Sequence, residues 1–239
     1  MLVFLVVSGS VQVKEIHIAV ASNFTDTMKE IAQRFEAKSG DKVILTFGST
    51  GKLYAQIRNG APYDAFFAAD IKRPKRLEKE SVALPGSRFT YAIGKVVLWS
   101  LKPNVVDANG RVLKTGDFRH LALANPKFAP YGKAAEQIMQ KRGVWKALQS
   151  RLVMGQNISQ AFQFVYSGSA TMGFVAYSQI KNLDNSSRGS LWEPPQSLYT
   201  TIEQQAVLLK NNATAKKFLD FTKNKKAQKI IQKYGYDTP

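Results

Sequence analysis

Phe47-Gly48-Ser49-Thr50-Gly51-Lys52-Leu53 is the stretch whose residue types point most directly to chemistry. It follows a β-branched run from Val43 to Thr46 and precedes a helical pattern. It therefore reads as a strand, a glycine-rich bend and a helix start. Hydroxyls and backbone N–H groups at such a start point off the positive end of the helix, the arrangement that holds an anion without a cationic side chain. A second unit of the same kind lies upstream, with Ile16 to Ala21 as strand, Ser22-Asn23 as the start and Thr25 to Lys38 as helix. Two more follow. Leu121 to Ala124 leads through residues 125–130 into Tyr131-Gly132-Lys133-Ala134, and Met154-Gly155-Gln156-Asn157-Ile158-Ser159 leads into a helix over 158–167. Four neutral, donor-rich helix starts are enough to close around one small ligand.

Each of these positions has a structural alternative. Ser22-Asn23, Ser49-Thr50 and Asn157 are residues that cap helices, although the glycines beside Ser49-Thr50 also permit close approach of a ligand. Tyr131 follows Pro130 and also fits a packed turn aromatic. The Gly48 to Lys52 segment lacks the GxxxxGK[ST] spacing of a nucleotide-phosphate loop. Catalytic sets are poor. The chain has no cysteine and two histidines, His17 and His120, both in strand patterns and without a serine elbow. Asp64 and Asp70 flank Ala65-Phe66-Phe67-Ala68-Ala69, which places their carboxylates near opposite ends of one strand, so Asp64 reads as a turn or strand-edge hydrogen bonder. These residues suggest no enzyme, no cofactor and no direct metal ligands.

The elements that must position the four starts alternate along the chain. Strand patterns fall at 16–21, 43–47, 64–68, 92–99, 120–124, 151–154, 172–176 and 204–209, and helical patterns at 25–38, 51–59, 72–80, 132–142, 144–149, 158–167 and 213–233. This is the signature of an α/β fold with mainly parallel sheet. Phe24, Met28, Ile31 and Phe35 form an apolar helix face, and Gly40 stops that helix. A length of 239 residues with 44% apolar residues supports a large core. Tyr91 to Leu101 and Gln205 to Leu209 are nearly continuous apolar runs, as expected of strands that cross between lobes. The division expected is one discontinuous lobe at 14–91 plus 200–239 and a second at 92–199, with a cleft between them. In doubly wound sheets ligands sit beyond the carboxyl ends of strands, where all four starts lie.

The net charge is +17, from 34 basic and 17 acidic residues. It suits either a polyanion-binding surface or a diffuse field that steers small anions. The densest runs, Lys72 to Arg76 and Lys223 to Lys229, lack the interleaved aromatics of a nucleic-acid platform, so no nucleic-acid partner is expected. Leu2 to Val7 followed by Ser8-Gly9-Ser10 fits the end of an export signal, making 1–13 its remnant. No other run approaches the ~20 apolar residues of a membrane span.

Several of these segments together resemble the periplasmic molybdate-binding proteins of ABC importers. They are Ile18 to Phe24, Phe47 to Leu53, Gly60-Ala61-Pro62-Tyr63-Asp64 through Asp70, Asn125-Pro126 through Pro130-Tyr131-Gly132, Gly173-Phe174-Val175-Ala176, and Ala227-Gln228 through Tyr236. They occur in the family's order from Lys14 onward. The resemblance implies a type II periplasmic-binding-protein fold of two lobes joined by two crossover strands. It implies molybdate or tungstate as the ligand, an ABC permease as the partner, a periplasmic location and a monomeric protein. Metal would be bound only inside the oxyanion. Carried over by position, the binding residues are Ser22, Asn23, Ser49, Thr50, Tyr131 and Ile158. Ser22 and Thr50 would give hydroxyl and backbone bonds, and Asn23, Tyr131 and Ile158 chiefly backbone N–H groups. One branch of the family has a donating tyrosine near the later strand. Ala176 stands there in this chain, and Tyr177 is one residue along, so no tyrosine hydroxyl is assigned to the ion. Sulfate, phosphate or an organic anion in the same cleft remains the alternative ligand.

Overall fold

The computed structural model describes residues 13–184 and 187–239. The expected export remnant at 1–13 lies outside them except for Val13. The chain opens with β1 (Glu15–Ala21), whose Ile16, Ile18, Ala19 and Val20 are fully buried because the strand pairs on both sides. A single 3-10 turn, Ser22–Phe24, leads into α1 (Thr25–Ser39). This helix packs Met28, Ile31 and Phe35 inward and ends where Gly40, at φ 76°, returns its N–H to Glu36. There follow β2 (Lys42–Gly48), α2 (Thr50–Arg58), β3 (Ala65–Ala68), α3 (Lys72–Lys79) and β4 (Phe89–Gly94).

The chain then changes sheet. The second set comprises β5 (Val96–Ser100), α4 (Val112–Thr115), β6 (Leu121–Ala124), α5 (Pro130–Lys141), α6 (Trp145–Leu148), β7 (Leu152–Gly155), α7 (Ile158–Tyr166), β8 (Met172–Ala176), α8 (Tyr177–Ile180) and β9 (Ser190–Trp192). The chain returns with β10 (Ile202–Leu208), α9 (Ala213–Lys223) and α10 (Lys225–Lys233).

Among the described residues the two sheets have five strands each, in the orders β2-β1-β3-β10-β4 and β7-β6-β8-β5-β9. The expected parallel character holds for β2-β1-β3 and for β7-β6-β8. Both sheets are nevertheless mixed, because β10 runs against β3 and β4 while β5 runs against β8 and β9. The apolar run expected as one strand at 92–99 is two strands. β4 stays in the first sheet to Gly94, β5 begins the second at Val96, and only Lys95 lies between them. The helix expected over 213–233 is also two, divided at Asn224, whose side chain accepts the Ala227 N–H at 2.9 Å and caps α10.

Each sheet has its own core. In the first, Phe24, Phe67, Tyr91 and Phe218 meet edge to face around Ile18 and Val20. In the second, Leu123, Ile138 and Phe174 lie on one face of the sheet, and Trp99, stacked on Phe162, lies on the other. No helix among the described residues is long and apolar enough to cross a membrane.

Candidate functional site

The four helix starts foreseen from the sequence meet in one place. Ser22, Asn23, Ser49, Thr50, Tyr131 and Ile158 line a single gap between the two sheets, with Gly48, Ala69 and Ala129 as small neighbours. All six are buried, from 1% to 5% exposed. β1 and β2 are parallel neighbours with Ala21 opposite Gly48, so the Ser22 and Thr50 starts leave the same sheet edge side by side. In the second sheet Ala124 stands opposite Gly155, which does the same for the starts at Tyr131 and Ile158.

The donors are largely uncommitted within their own helices. Thr50 and Ile158 are the first residues of α2 and α7, and Tyr131 follows Pro130 at the start of α5. Backbone N–H groups at these positions have no intrahelical acceptor. Ser49 occupies the capping position of α2, yet its hydroxyl makes no capping bond and has no partner among the described residues. A buried hydroxyl left in that state costs stability, and here it lies against the gap. The Thr50 hydroxyl oxygen accepts the Ala69 N–H at 3.0 Å. Asn157 does cap its helix, accepting the Gln160 N–H at 3.0 Å.

Asn23 is oriented away from the gap. Its side-chain amide donates to Gln204 Oε1 at 2.7 Å and to the Tyr236 hydroxyl at 3.0 Å, leaving its backbone as the part at the site. Ser22 offers its carbonyl to the hydroxyls of Thr25 at 2.8 Å and Ser159 at 3.1 Å. Ala176 ends β8 and Tyr177 begins α8, so the strand does not continue and the Tyr177 ring is directed to Gly235. Asp64 lies at the far end of β3, where its carboxylate accepts the His17 N–H at 2.8 Å and the Asn212 amide at 3.2 Å.

Among the described residues no lysine, arginine, histidine or carboxylate lines the gap. No acidic residue stands in the first turn at Ser22 or of α2, α5 or α7. The field there is that of helix ends and N–H dipoles, positive without a formal charge. The open cavity is about 10 Å³, near the smallest volume that holds one water. As the lobes stand, the gap has room for about one small, water-sized group. A much larger groove of about 860 Å³ opens alongside, but it contains neither Ser49, Thr50 nor Ile158; of its charged residues Arg73 pairs with Asp70 and Lys133 with Glu136, while Lys72, Lys127 and Glu203 also line it. Among the described residues there is no cluster of histidine, aspartate and glutamate able to hold a bare cation.

The two lobes touch around the gap through their own atoms. Gly51 N–H donates to the Phe128 carbonyl at 2.8 Å, Lys52 Nζ to Gln156 Oε1 at 2.7 Å, and the Ser178 hydroxyl to the Asn23 carbonyl at 3.2 Å. Tyr236 donates to the Asn23 carbonyl at 2.6 Å and lies 2.8 Å from the Ser178 hydroxyl. Burial raises the phenol pKa values of Tyr91, Tyr131 and Tyr236 above the ordinary range, so these hydroxyls keep their protons. Ser159, Ser178 and Gln204 also bond around the gap, to Ser22 and Asn23, and were not among the residues expected there. Ser159 stood in the expected start at 154–159 with no role given to it, Gln204 was the first residue of the expected strand 204–209, and Ser178, just after the strand pattern at 172–176, carried no mark.

A family model of bacterial extracellular solute-binding proteins matches residues 16–237. This chain belongs to that family. Among relatives of this solute-binding protein, the molybdate-binding protein ModA of Azotobacter vinelandii is 51% identical over 228 residues, covering 94% of this chain and 90% of the relative. ModA of Escherichia coli K12 is 27% identical, covering 93% and 88%. Among solved structures, the A. vinelandii periplasmic molybdate-binding protein superposes with a TM-score of 0.90 at 44% identity, covering 94% of this chain and 99% of that one. The sulfate-binding protein SubI of Mycobacterium tuberculosis superposes at 0.78 with 13% identity, covering 94% and 87%, a likeness of fold alone. The fold is the two-lobed α/β type of periplasmic binding proteins.

Proposed function

We propose that this solute-binding protein captures molybdate, and with it tungstate, between its lobes and delivers it to the membrane permease of an ABC importer. The carrying observation is the meeting of four uncharged helix starts at one buried gap, with the Ser49 hydroxyl there lacking a partner. The 51% identity to a molybdate-binding relative supports the choice of ion. The ion is cargo, and the family's proteins transport rather than transform what they bind.

A dianion leaves water only where its oxygens regain donors. Hydrogen bonds to charged groups contribute roughly 1.5–3 kcal/mol each, and about six of them offset the cost of association. In this reading Ser22, Ser49 and Thr50 give hydroxyl bonds, and Asn23, Thr50, Tyr131 and Ile158 give backbone N–H bonds. Neutral donors fix geometry and the cavity size selects: molybdate and tungstate are nearly equal in size, and sulfate is smaller. The same reading has the protein working as a periplasmic monomer with no nucleic-acid partner, its lobes 14–91 plus 200–239 and 92–199. Its +17 charge speeds anion encounter and does so less at high salt.

Titration calorimetry with molybdate, tungstate, sulfate and phosphate tests this. Tight binding of the first two and weak binding of the others is expected. Preferential heat from sulfate or phosphate transfers the site to that ion, and no heat from any of the four overturns the reading.

A further inference from the structure

Gly51 is the second residue of α2, directly after Thr50. Its N–H has no acceptor within the helix by position, and it bonds across the lobes to the Phe128 carbonyl at 2.8 Å. The segment holding that carbonyl is fixed. Asn125 Oδ1 accepts the Lys127 N–H at 3.0 Å. The Asn125 carbonyl accepts the N–H groups of Phe128 at 3.1 Å and Ala129 at 3.0 Å, and Asn125 N–H itself is held by Gly155 at 2.8 Å. Phe128 stands three residues before Tyr131. The Gly51–Phe128 bond therefore joins the backbone beside one expected anion donor to the backbone beside another.

Gly51 is not among the residues with positive φ, so an alanine there suits the helix as well as glycine or better. The backbone obstacle lies across the gap. A Cβ on Gly51 would stand 2.9 Å from the Phe128 carbonyl oxygen and 3.0 Å from Phe128 Cα, both backbone atoms of the rigid turn. The third of the nearest atoms, Arg73 Nη2 at 2.9 Å, is the end of a long side chain in the same lobe, held by Asp70 through its other terminal nitrogen, and can give way more readily than backbone. Glycine at 51 is thus required by the meeting of the lobes and not by the fold of either lobe.

We propose that Gly51 is a positioning residue for anion capture: its contact with the Phe128 backbone sets how far the lobes close and so how near the Thr50 and Tyr131 donors come to the ion. The inference rests on the capture reading given above. A single methyl at 51 wedges the lobes apart. The open form, which the anion meets first, is unaffected, while the closed form, which retains the ion, is lost.

The test is Gly51→Ala in the whole protein, measured by molybdate calorimetry, stopped-flow kinetics, small-angle scattering and anion-free melting. The expected result is at least tenfold weaker affinity, carried by faster dissociation with the association rate within about twofold of wild type. The expected radius of gyration with molybdate is larger than wild type, and the anion-free melting temperature is equal or higher. The double variant Gly51→Ala/Arg73→Ala is expected to stay as weak, because the backbone of Phe128 remains in place. Wild-type affinity and dissociation rate in Gly51→Ala overturn the proposal, and recovery in the double variant overturns the role of Phe128. A wild-type protein that binds none of the four oxyanions instead removes the capture reading itself, so the two failures are distinguishable.

Discussion

Replacing Thr50 by valine isolates one hydroxyl. Thr50 is 1% exposed, and its oxygen already accepts the Ala69 N–H at 3.0 Å. With that lone pair engaged, the hydroxyl proton is free to point into the gap that the residue lines. Valine keeps the shape and removes the donor. The lost charge-assisted bond is worth about 1.5–3 kcal/mol, or roughly 10- to 150-fold in dissociation constant at 1.4 kcal/mol per tenfold. Valine also leaves the buried Ala69 N–H without its partner, which costs about 1–3 kcal/mol of folding stability. That second loss is read separately, by denaturation of the anion-free protein. Thr50→Ser retains the hydroxyl and is expected to bind within a few-fold of wild type. Lys52 is the nearest cation in sequence, but it is exposed and donates to Gln156 at 2.7 Å. An exposed contact of that kind is worth at most about 1 kcal/mol, so Lys52→Ala is expected to weaken binding by roughly fivefold or less. Calorimetry on the three variants decides the matter. A larger loss in Lys52→Ala than in Thr50→Val refutes capture by neutral donors.

Molybdate affinity is expected to be flat between about pH 6 and 9, because no carboxylate, histidine or lysine lines the gap and burial raises the Tyr131 phenol above its usual range; a tenfold change across that window, measured by calorimetry, contradicts this. The buried phenols of Tyr91, Tyr131 and Tyr236 are held protonated by the fold, whereas those of the unfolded chain ionise near pH 10. Their contribution to stability is therefore complete below that pH and lost as pH rises through and beyond it, and urea midpoints are expected to fall between about pH 9 and 11, less steeply in Tyr236→Phe. Asp64→Ala strips the acceptor from the His17 N–H and the Asn212 amide. It is expected to cost about 1–3 kcal/mol of stability while leaving molybdate affinity unchanged, since Asp64 lies at the end of β3 remote from the gap.

Much of the candidate site's placement could be read from the chain because helix starts leave local marks. Gly48, Ser49-Thr50 and Gly51 sit between an apolar strand and a helical pattern, and Pro130 precedes Tyr131 in the position where proline opens helices. All six residues expected at the site line one gap. What escaped is what depends on distant partners. The direction of the Asn23 side chain is set by Gln204 and Tyr236, which are 181 and 213 residues away. The break at Lys95 left no trace, because Tyr91-Ala92 and Val96 to Trp99 are equally buried though they belong to different sheets. Asn224 was a legible cap within 213–233, but the apolar periodicity runs through it, from Phe218 and Leu219 to Ile230 and Ile231. The mixed character of the sheets depends on where β10 and β5 insert, and strand direction has no signature in composition.

Gly94 and Ile202 are register partners, so the outgoing and returning chains pass between the lobes side by side. Two adjacent tethers permit one swing and resist twist or slide. In the capture reading the helix starts would therefore part and rejoin as two fixed pairs, with no search for alignment at each encounter. Covalent linkage keeps the halves of the cage at high effective concentration toward each other, and the entropy of assembling it was removed once, when the chain folded. In the capture reading proposed above, unloading would correspondingly need a single rotation.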